Sequence, residues 1–276
     1  MSRPKLIAID IDGTLVDSQV KLDPEVKNAV LRAKEDGALV TLATGRMVSA
    51  ASKYIDALEI DLPLVALNGV FVGWKDNCRE PIYHEAISHH SAQAIVHAVW
   101  NSKSTLLCVH CDRAFGRNID DLTGPAISTW IVNVDPLEEI DSLDGIEPST
   151  ILIAGNEEII SELYTNAEGI FRDDTERYFF PSMRYYPMHY LEIRARGTNK
   201  GKGLRKLAEY LGIRAEEVLA IGDYINDFEM AQYAGIFAAP ANAHDEIKEI
   251  ADYVSPSTND GAAVSEIINK LYFGAN

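Results

Sequence analysis

The sequence predicts an α/β fold: a three-layer core on a mostly parallel sheet, interrupted by an inserted α+β domain. Two observations carry this prediction. Short β-branched apolar runs alternate with amphipathic helical stretches at the start of the chain and again from about residue 193, the pattern of strand–helix–strand units in a parallel sheet. Between residues 84 and 192 the pattern is less regular and denser in aromatics, with the alternation and turn residues of an antiparallel sheet that carries helices on one face. The predicted division is therefore 1–83 with 193–276 for the core and 84–192 for the insert. At 276 residues and 47% hydrophobic, the chain is long enough to build both.

Lys5-Leu6-Ile7-Ala8-Ile9 reads as a strand buried on both faces, followed by Asp10-Ile11-Asp12-Gly13-Thr14-Leu15. If the extended chain continues to Asp12, both carboxylates point the same way from the carboxyl end of the strand. Asp23-Pro24 starts a helix with Val26, Ala29, Val30 and Ala33 on one face, and Gly37 ends it. Leu39–Ala43 is a second strand, finishing in Thr44-Gly45-Arg46. A helix follows around Val48–Leu58, then a third strand at Leu64–Leu67 that ends at Asn68-Gly69, with Phe71-Val72 beyond.

In the insert, the pattern predicts helices at Ser91–Trp100 and Ile159–Asn166, and strands at Thr105–His110, Trp130–Val134, Thr150–Ala154 and Tyr178–Phe180. The core pattern returns from Leu191-Glu192-Ile193. Asn199-Lys200-Gly201 leads into a helix with Leu204, Leu207, Ala208 and Leu211 on one face. A strand at Val218–Ile221 ends in Gly222-Asp223-Tyr224-Ile225-Asn226-Asp227, followed by a helix at Phe228–Tyr233 and a strand at Ile236–Ala239. Helices starting near His244 and Ala262 close the chain.

The charge balance, 25 basic against 42 acidic residues for a net of -17, argues against a general nucleic-acid or anionic-membrane surface. Arg177–Tyr186 mixes arginine with aromatics as a single-stranded nucleic-acid platform would. In so acidic a chain the better reading is packing of the inserted sheet, with one or two side chains reaching a small substrate. Met1–Lys5 is followed by too short an apolar run for a signal peptide, and no apolar stretch reaches bilayer length, so a cytoplasmic location is the default expectation. The cysteines are Cys78, Cys108 and Cys111. Cys108-Val109-His110-Cys111 has half the spacing of a zinc site but no second half, and in a strand its two cysteines would face opposite ways.

Three strand ends carry polar residues: Asp10 with Asp12, Thr44-Gly45, and Asp223 with Asp227. In a parallel sheet these ends share one edge, where α/β folds bind ligands. The bland reading of Asp10-x-Asp12-Gly13-Thr14 is a solvated turn. The alternative is a set of carboxylates holding Mg²⁺, which prefers hard oxygen ligands and bridges carboxylates to phosphate. Lys200 would neutralise a further phosphoryl oxygen, with Thr44 and backbone N–H groups as donors. Phosphoryl transfer is the leading chemistry of this combination.

On these residues the chain resembles the haloacid dehalogenase superfamily, specifically its Cof-type sugar phosphatases with a large α/β cap. The resemblance rests on Asp10–Leu15, Thr44-Gly45-Arg46, Asn199-Lys200-Gly201 and Gly222–Met230 in that order, supported by Asn68-Gly69 and Ala241-Asn242-Ala243. It implies a Rossmann-like three-layer core with a cap between 84 and 192 that closes over the substrate and judges the leaving group. It also implies Asp10 as nucleophile through an aspartyl-phosphate, and Asp12 as general acid and base whose backbone carbonyl also binds Mg²⁺. Asp223 would be a further metal ligand, with Asp227 orienting a metal-bound water or Lys200. Thr44, the Gly45 N–H, Lys200 and Asn226 would meet the phosphate. Arg46 either touches substrate or pairs with an acid in the core. Ala239-Pro240 stands where the family usually has a methionine-glycine step, with no proposed ligand lost.

The implied function is Mg²⁺-dependent hydrolysis of a small phosphorylated metabolite, with a sugar phosphate ahead of phosphoglycolate and other non-sugar esters. A phosphomutase or phosphotransferase, and a non-catalytic phosphate-binding module, are the alternatives. Arg177, Arg184 and Tyr185 are the cap candidates for substrate contact.

Overall fold

The structure, a computed structural model, describes residues 3–76, 80–140, 146–166, 173–182 and 185–275. Cys78 and Arg184 lie outside the described residues. In chain order the elements are β1 (Leu6–Ile9), α1 (Pro24–Glu35), β2 (Leu39–Leu42), α2 (Val48–Ala57), β3 (Leu64–Ala66), β4 (Phe71–Gly73), β5 (Tyr83–His84), α3 (His89–Val99), β6 (Thr105–His110), β7 (Arg113–Arg117), α4 (Thr123–Ile127), β8 (Val134–Pro136), β9 (Thr150–Asn156), α5 (Glu157–Asn166), β10 (Thr175–Pro181) and β11 (Met188–Ala195). Then come α6 (Lys200–Leu211), β12 (Val218–Ile221), α7 (Phe228–Tyr233), β13 (Ile236–Ala239), α8 (Asp245–Ile250), β14 (Tyr253–Val254) and α9 (Ala263–Ile267). The chain forms two compact units: Met1–Gly45, Ala51–Tyr83 and Asn199–Asn276 make one, and Arg46–Ala50 with His84–Thr198 the other.

Among the described residues of the first unit, β14-β13-β12-β1-β2 form a parallel sheet. β1 sits between β12 and β2, Leu6–Ile9 in register with Val218–Ile221 on one side and Leu39–Leu42 on the other. All four β1 residues are fully buried, as an apolar run without alternation requires of a strand covered on both faces. Leu204, Leu207 and Ala208 of α6 pack with Leu6, Ala8, Val218 and Ala220 in one apolar cluster. Their i, i+3, i+4 spacing gives α6 the stripe it buries. Asn199 caps that helix by accepting from the Lys202 N–H at 2.7 Å, which fixes Lys200 as its first residue.

Two expectations for this unit are corrected. β1 stops at Ile9, and Ile11–Leu15 form a wide turn with Leu15 N–H on the Asp10 carbonyl and Val16 N–H on that of Ile11. Asp10 and Asp12 are thus not alternate residues of one strand. Gly13, at φ 83°, makes the turn possible, and a Cβ there would lie 2.2 Å from the Asp223 carboxylate. The third strand also leaves the parallel sheet: β3 pairs antiparallel with β4, and a single parallel bridge, Ala43 to Val65, ties it to the end of β2. The short turn at Leu67–Gly69 reverses the chain, which permits antiparallel pairing and excludes the long crossover that parallel strands need.

The second unit carries a sheet of order β10-β11-β9-β6-β7-β8, antiparallel except for β7 with β8. Ile95, Val96 and Ile160 of α3 and α5 pack against Leu106, Cys108, Ile151, Ile153, Leu191 and Ile193 on one face. β11 lies between β10 and β9 in this sheet, so the return to the first unit comes at Asn199, later than the 193 read from the sequence. The strand expected at Trp130–Val134 is also displaced. Asp120 accepts from the N–H groups of Leu122 and Thr123 in the turn before α4, Trp130 lies in the turn that follows the helix, and β8 is at Val134–Pro136. Cys108, fully buried, and Cys111 are both free thiols. Burial pushes the Cys108 thiol up to about 12, as expected of an inert packing residue. No helix among the described residues is long and apolar enough to cross a membrane.

Candidate active site

The carboxyl ends of β1 and β12, adjacent parallel strands, bring residues more than two hundred positions apart to one place. Asp10 follows β1 and Asp223 follows β12. Asp10, Asp223 and Asp227 each offer a carboxylate oxygen, and these oxygens lie within 4.8 Å of one another. Among the described residues this is the group of acidic, histidine or cysteine side chains that could hold a metal, and it presents the hard oxygen donors a divalent cation takes. Asp12 is half-buried in the adjoining turn, and its carboxylate is not one of the three.

Lys200 enters from the first turn of α6. Its Nζ donates to Asp10 Oδ1 and to Asp227 Oδ1, both at 2.6 Å, and all three side chains are almost completely buried. The second oxygen of Asp227 accepts from the N–H of Asp223 at 2.9 Å and of Tyr224 at 3.1 Å. Asp227 holds both the ammonium and the loop that carries Asp223. Thr14 was assigned no role from the sequence, yet its hydroxyl donates to Asp223 Oδ1 at 2.8 Å.

Burial pushes the Asp10 carboxyl well above its ordinary value, outweighing Lys200, and the charges of Asp227 and Asp223 push the same way. Burial, then the Asp227 charge, raises Asp223 to about 7. Burial alone would lower Lys200, but Asp10 and Asp227 outweigh it and hold the ammonium above its usual range. Three carboxylates thus face one ammonium, and a divalent cation is the partner that would favour their ionised forms.

Thr44 and Gly45 follow β2 on the other side of β1. Thr44 is fully buried, with its N–H on the Val65 carbonyl at 2.8 Å and its carbonyl receiving the Asn68 N–H at 3.0 Å. Asn226 donates to Asn68 Oδ1 at 2.9 Å. Arg46 is 2% exposed and falls in the second unit. Two asparagines that the sequence did not mark for this purpose clasp the Asp10–Val16 turn. Asn242 Nδ2 donates to the Gly13 carbonyl at 2.8 Å, Asn259 Nδ2 donates to that of Val16 at 2.9 Å, and Asn242 Oδ1 accepts the Asn259 N–H at 2.8 Å. The Asn242 segment was visible as a motif; nothing in the local sequence around Asn259 announces the contact.

In the second unit, the Arg177 guanidinium lies 4.9 Å from the ring of Tyr164 on α5, a packing position. The Tyr185 N–H donates to Ser182 Oγ at 3.0 Å. Arg194, buried and stacked 4.1 Å over Tyr178, pairs with Glu192 at 3.5 Å. The pair sits two positions apart in β11, with no local signal that would mark it in the sequence.

Comparison with known proteins places this geometry. Residues 7–268 match the haloacid dehalogenase-like hydrolase family. The chain is 29% identical over 275 residues to the 5-amino-6-(5-phospho-D-ribitylamino)uracil phosphatase YitU of Bacillus subtilis (strain 168), covering 99% of this chain and 98% of that protein. It is 28% identical over 295 residues to YwtE of the same organism, which carries the same activity in its name, with 98% and 99% covered. A crystal structure of a haloacid dehalogenase-like hydrolase from Bacteroides thetaiotaomicron superposes with a TM-score of 0.81 at 25% identity, over 97% of this chain and 99% of that one. With its capped α/β fold and its buried aspartate cluster, the chain belongs to the haloacid dehalogenase-like hydrolase family and is an enzyme of its phosphatase type.

Proposed function

We propose that the protein is a Mg²⁺-dependent phosphomonoester hydrolase of the Cof type that works through an aspartyl-phosphate at Asp10. The observation that carries this reading is Lys200, held at 2.6 Å from both Asp10 and Asp227 inside the aspartate cluster. A buried ammonium shared by two carboxylates keeps one oxygen of Asp10 oriented and leaves the other to meet phosphorus. Asp10, Asp223 and Asp227, with the Asp12 backbone carbonyl, are the residues proposed to hold the cation. When bound, Mg²⁺ supplies the positive charge that keeps these carboxylates ionised and lets a phosphate dianion approach them.

In the first step an Asp10 oxygen forms a bond to phosphorus as the ester P–O bond breaks, and Asp12 gives its proton to the departing alkoxide. In the second, Asp12 takes a proton from water, the water oxygen bonds to phosphorus, and the Asp10–phosphorus bond breaks to release inorganic phosphate. Lys200, the Thr44 hydroxyl, the Gly45 N–H and Asn226 are proposed to hold the equatorial oxygens, where charge accumulates.

For the leaving group we favour a polyhydroxylated carbon chain: a sugar phosphate, or a phosphorylated sugar alcohol of the kind named for YitU and YwtE. The second unit is proposed as the cap that selects it. Two arms test the proposal. Phosphate release from an aryl phosphate, with and without a chelator and with Asp10→Asn, tests the reaction. A panel spanning sugar phosphates, ribityl phosphates and phosphoglycolate tests the substrate. Turnover that survives both chelation and Asp10→Asn refutes the mechanism, while activity confined to phosphoglycolate refutes only the proposed leaving group. Absolute dependence on a sugar bisphosphate would indicate a mutase instead.

A further inference from the structure

Leu67, Asn68 and Gly69 have φ of 50°, 54° and 88°, three consecutive residues in the left-handed region. Glycine adopts it freely and asparagine tolerates it, whereas leucine there is disfavoured. Such outliers persist only where their surroundings over-determine them, and they gather at functional sites. Here the surroundings are specific. The Asn68 N–H donates to the Thr44 carbonyl at 3.0 Å, and the Val70 N–H donates to that of Leu67 at 3.2 Å. Gly69 is seated so closely on the α6 N-terminus that a Cβ would lie 1.9 Å from the Asn199 carbonyl oxygen.

The turn aims the Asn68 side chain inward, where it is 8% exposed. Its Oδ1 accepts from Asn226 at 2.9 Å. Its amide also lies flat against Gly45, where a Cβ would fall 3.1 Å from Oδ1 and 3.2 Å from Nδ2. One side chain and its two neighbours thus touch Thr44–Gly45, Asn226 and the start of the helix bearing Lys200. These are three separate chain segments, and each carries a group assigned to the phosphate.

We infer that Asn68 is a positioning residue for phosphate recognition: through the left-handed Leu67–Gly69 turn it sets the spacing between the Thr44–Gly45 donors and Asn226. This inference rests on the phosphatase reading. It differs from a packing role because the contacts of Asn68 with Thr44, Gly45 and Asn226 join groups assigned to the phosphate, and its loss is expected to act there.

Asn68→Gly is the appropriate variant, since glycine keeps the positive φ and removes only the amide. It is to be compared with wild type, Asn226→Ala and the double variant. The measurements are KM and kcat for an aryl phosphate, inhibition by inorganic phosphate, Mg²⁺ affinity by calorimetry, and Tm. The expected result is a rise of about tenfold in both KM and the phosphate inhibition constant, with kcat within about threefold. Mg²⁺ affinity should be unchanged and Tm should stay within about 3 °C. The double variant should lose less than the product of the two single losses, because Asn68 and Asn226 are coupled through their hydrogen bond. Wild-type KM in Asn68→Gly, losses that multiply in the double variant, or a parallel fall in Mg²⁺ affinity would overturn the inference. A wild-type protein that neither hydrolyses the ester nor binds inorganic phosphate would overturn the phosphatase reading beneath it.

Discussion

Lys200 is 1% exposed, and what keeps so buried an ammonium charged is a pair of carboxylates at 2.6 Å. Buried charges are tolerated only when paired and hydrogen-bonded, so Lys200, Asp10 and Asp227 form a unit in which each needs the others. Thr14 performs the same service for Asp223 with a neutral donor. Groups that orient a metal ligand without touching the ion commonly carry tenfold to hundredfold effects on affinity. Thr14→Val, which keeps the shape and removes the donor, is expected to weaken Mg²⁺ binding by about tenfold, read by calorimetry. Unchanged affinity would mean that the Asp223 carboxylate is held by the loop alone.

At the scale of elements, the site depends on close contact between backbones. The Leu67–Gly69 turn meets the start of α6 with no room for a side chain at Gly69, which is also at φ 88°. Gly69→Ala adds both strain and a collision with the Asn199 carbonyl. It is expected to cost about 2 kcal/mol or more in a denaturant melt, and to lower turnover further by moving the helix turn that carries Lys200. Loss of turnover at full stability would mean that α6 yields and Lys200 moves while the fold absorbs the change.

The elements differ in how legible they were in the sequence. β1, α1, β2, α6 and β12 were readable because a fully apolar strand and a capped 3.6-residue stripe each have a distinct pattern, and Asp10, Asp223 and Lys200 could be placed from the ends of those elements. The wide turn after Ile9 was not readable, because Asp-Ile-Asp alternates like a strand and only Gly13, at positive φ, reveals the reversal. β3 looked like one more parallel strand because pairing direction is set by the following turn and not by the strand's own residues. The contacts of Asn68, Asn242 and Asn259 were also hidden, since a hydrogen bond across about 158 to 243 positions has no local signature.

Across the whole molecule, three of the 42 acidic residues meet in one cluster around a single lysine. Asp223 sits at about 7 in the folded state, and Asp10 is raised as well, against an unfolded value of about 4. A carboxyl raised on folding makes the native state bind more protons than the unfolded chain. Its stabilising contribution is complete below about pH 4 and is lost as pH rises through about 7. In chelator, Tm is therefore expected to fall by several degrees between pH 5 and pH 8. Saturating Mg²⁺ should restore it, with the larger gain at pH 8, because the cation takes the place of those protons. A metal-free Tm that rises over this interval would contradict the burial of these charges.

The proposed chemistry converges on one atom, the Asp10 oxygen assigned to meet phosphorus. Acid-quenched protein, mixed with an aryl phosphate and Mg²⁺ and digested for mass spectrometry, reads that atom directly. The expected result is a phosphoryl adduct on the peptide containing Asp10, absent with chelator and absent in Asp10→Asn. An active enzyme that never labels this peptide, or that labels another residue, would contradict the assignment of Asp10 as the nucleophile.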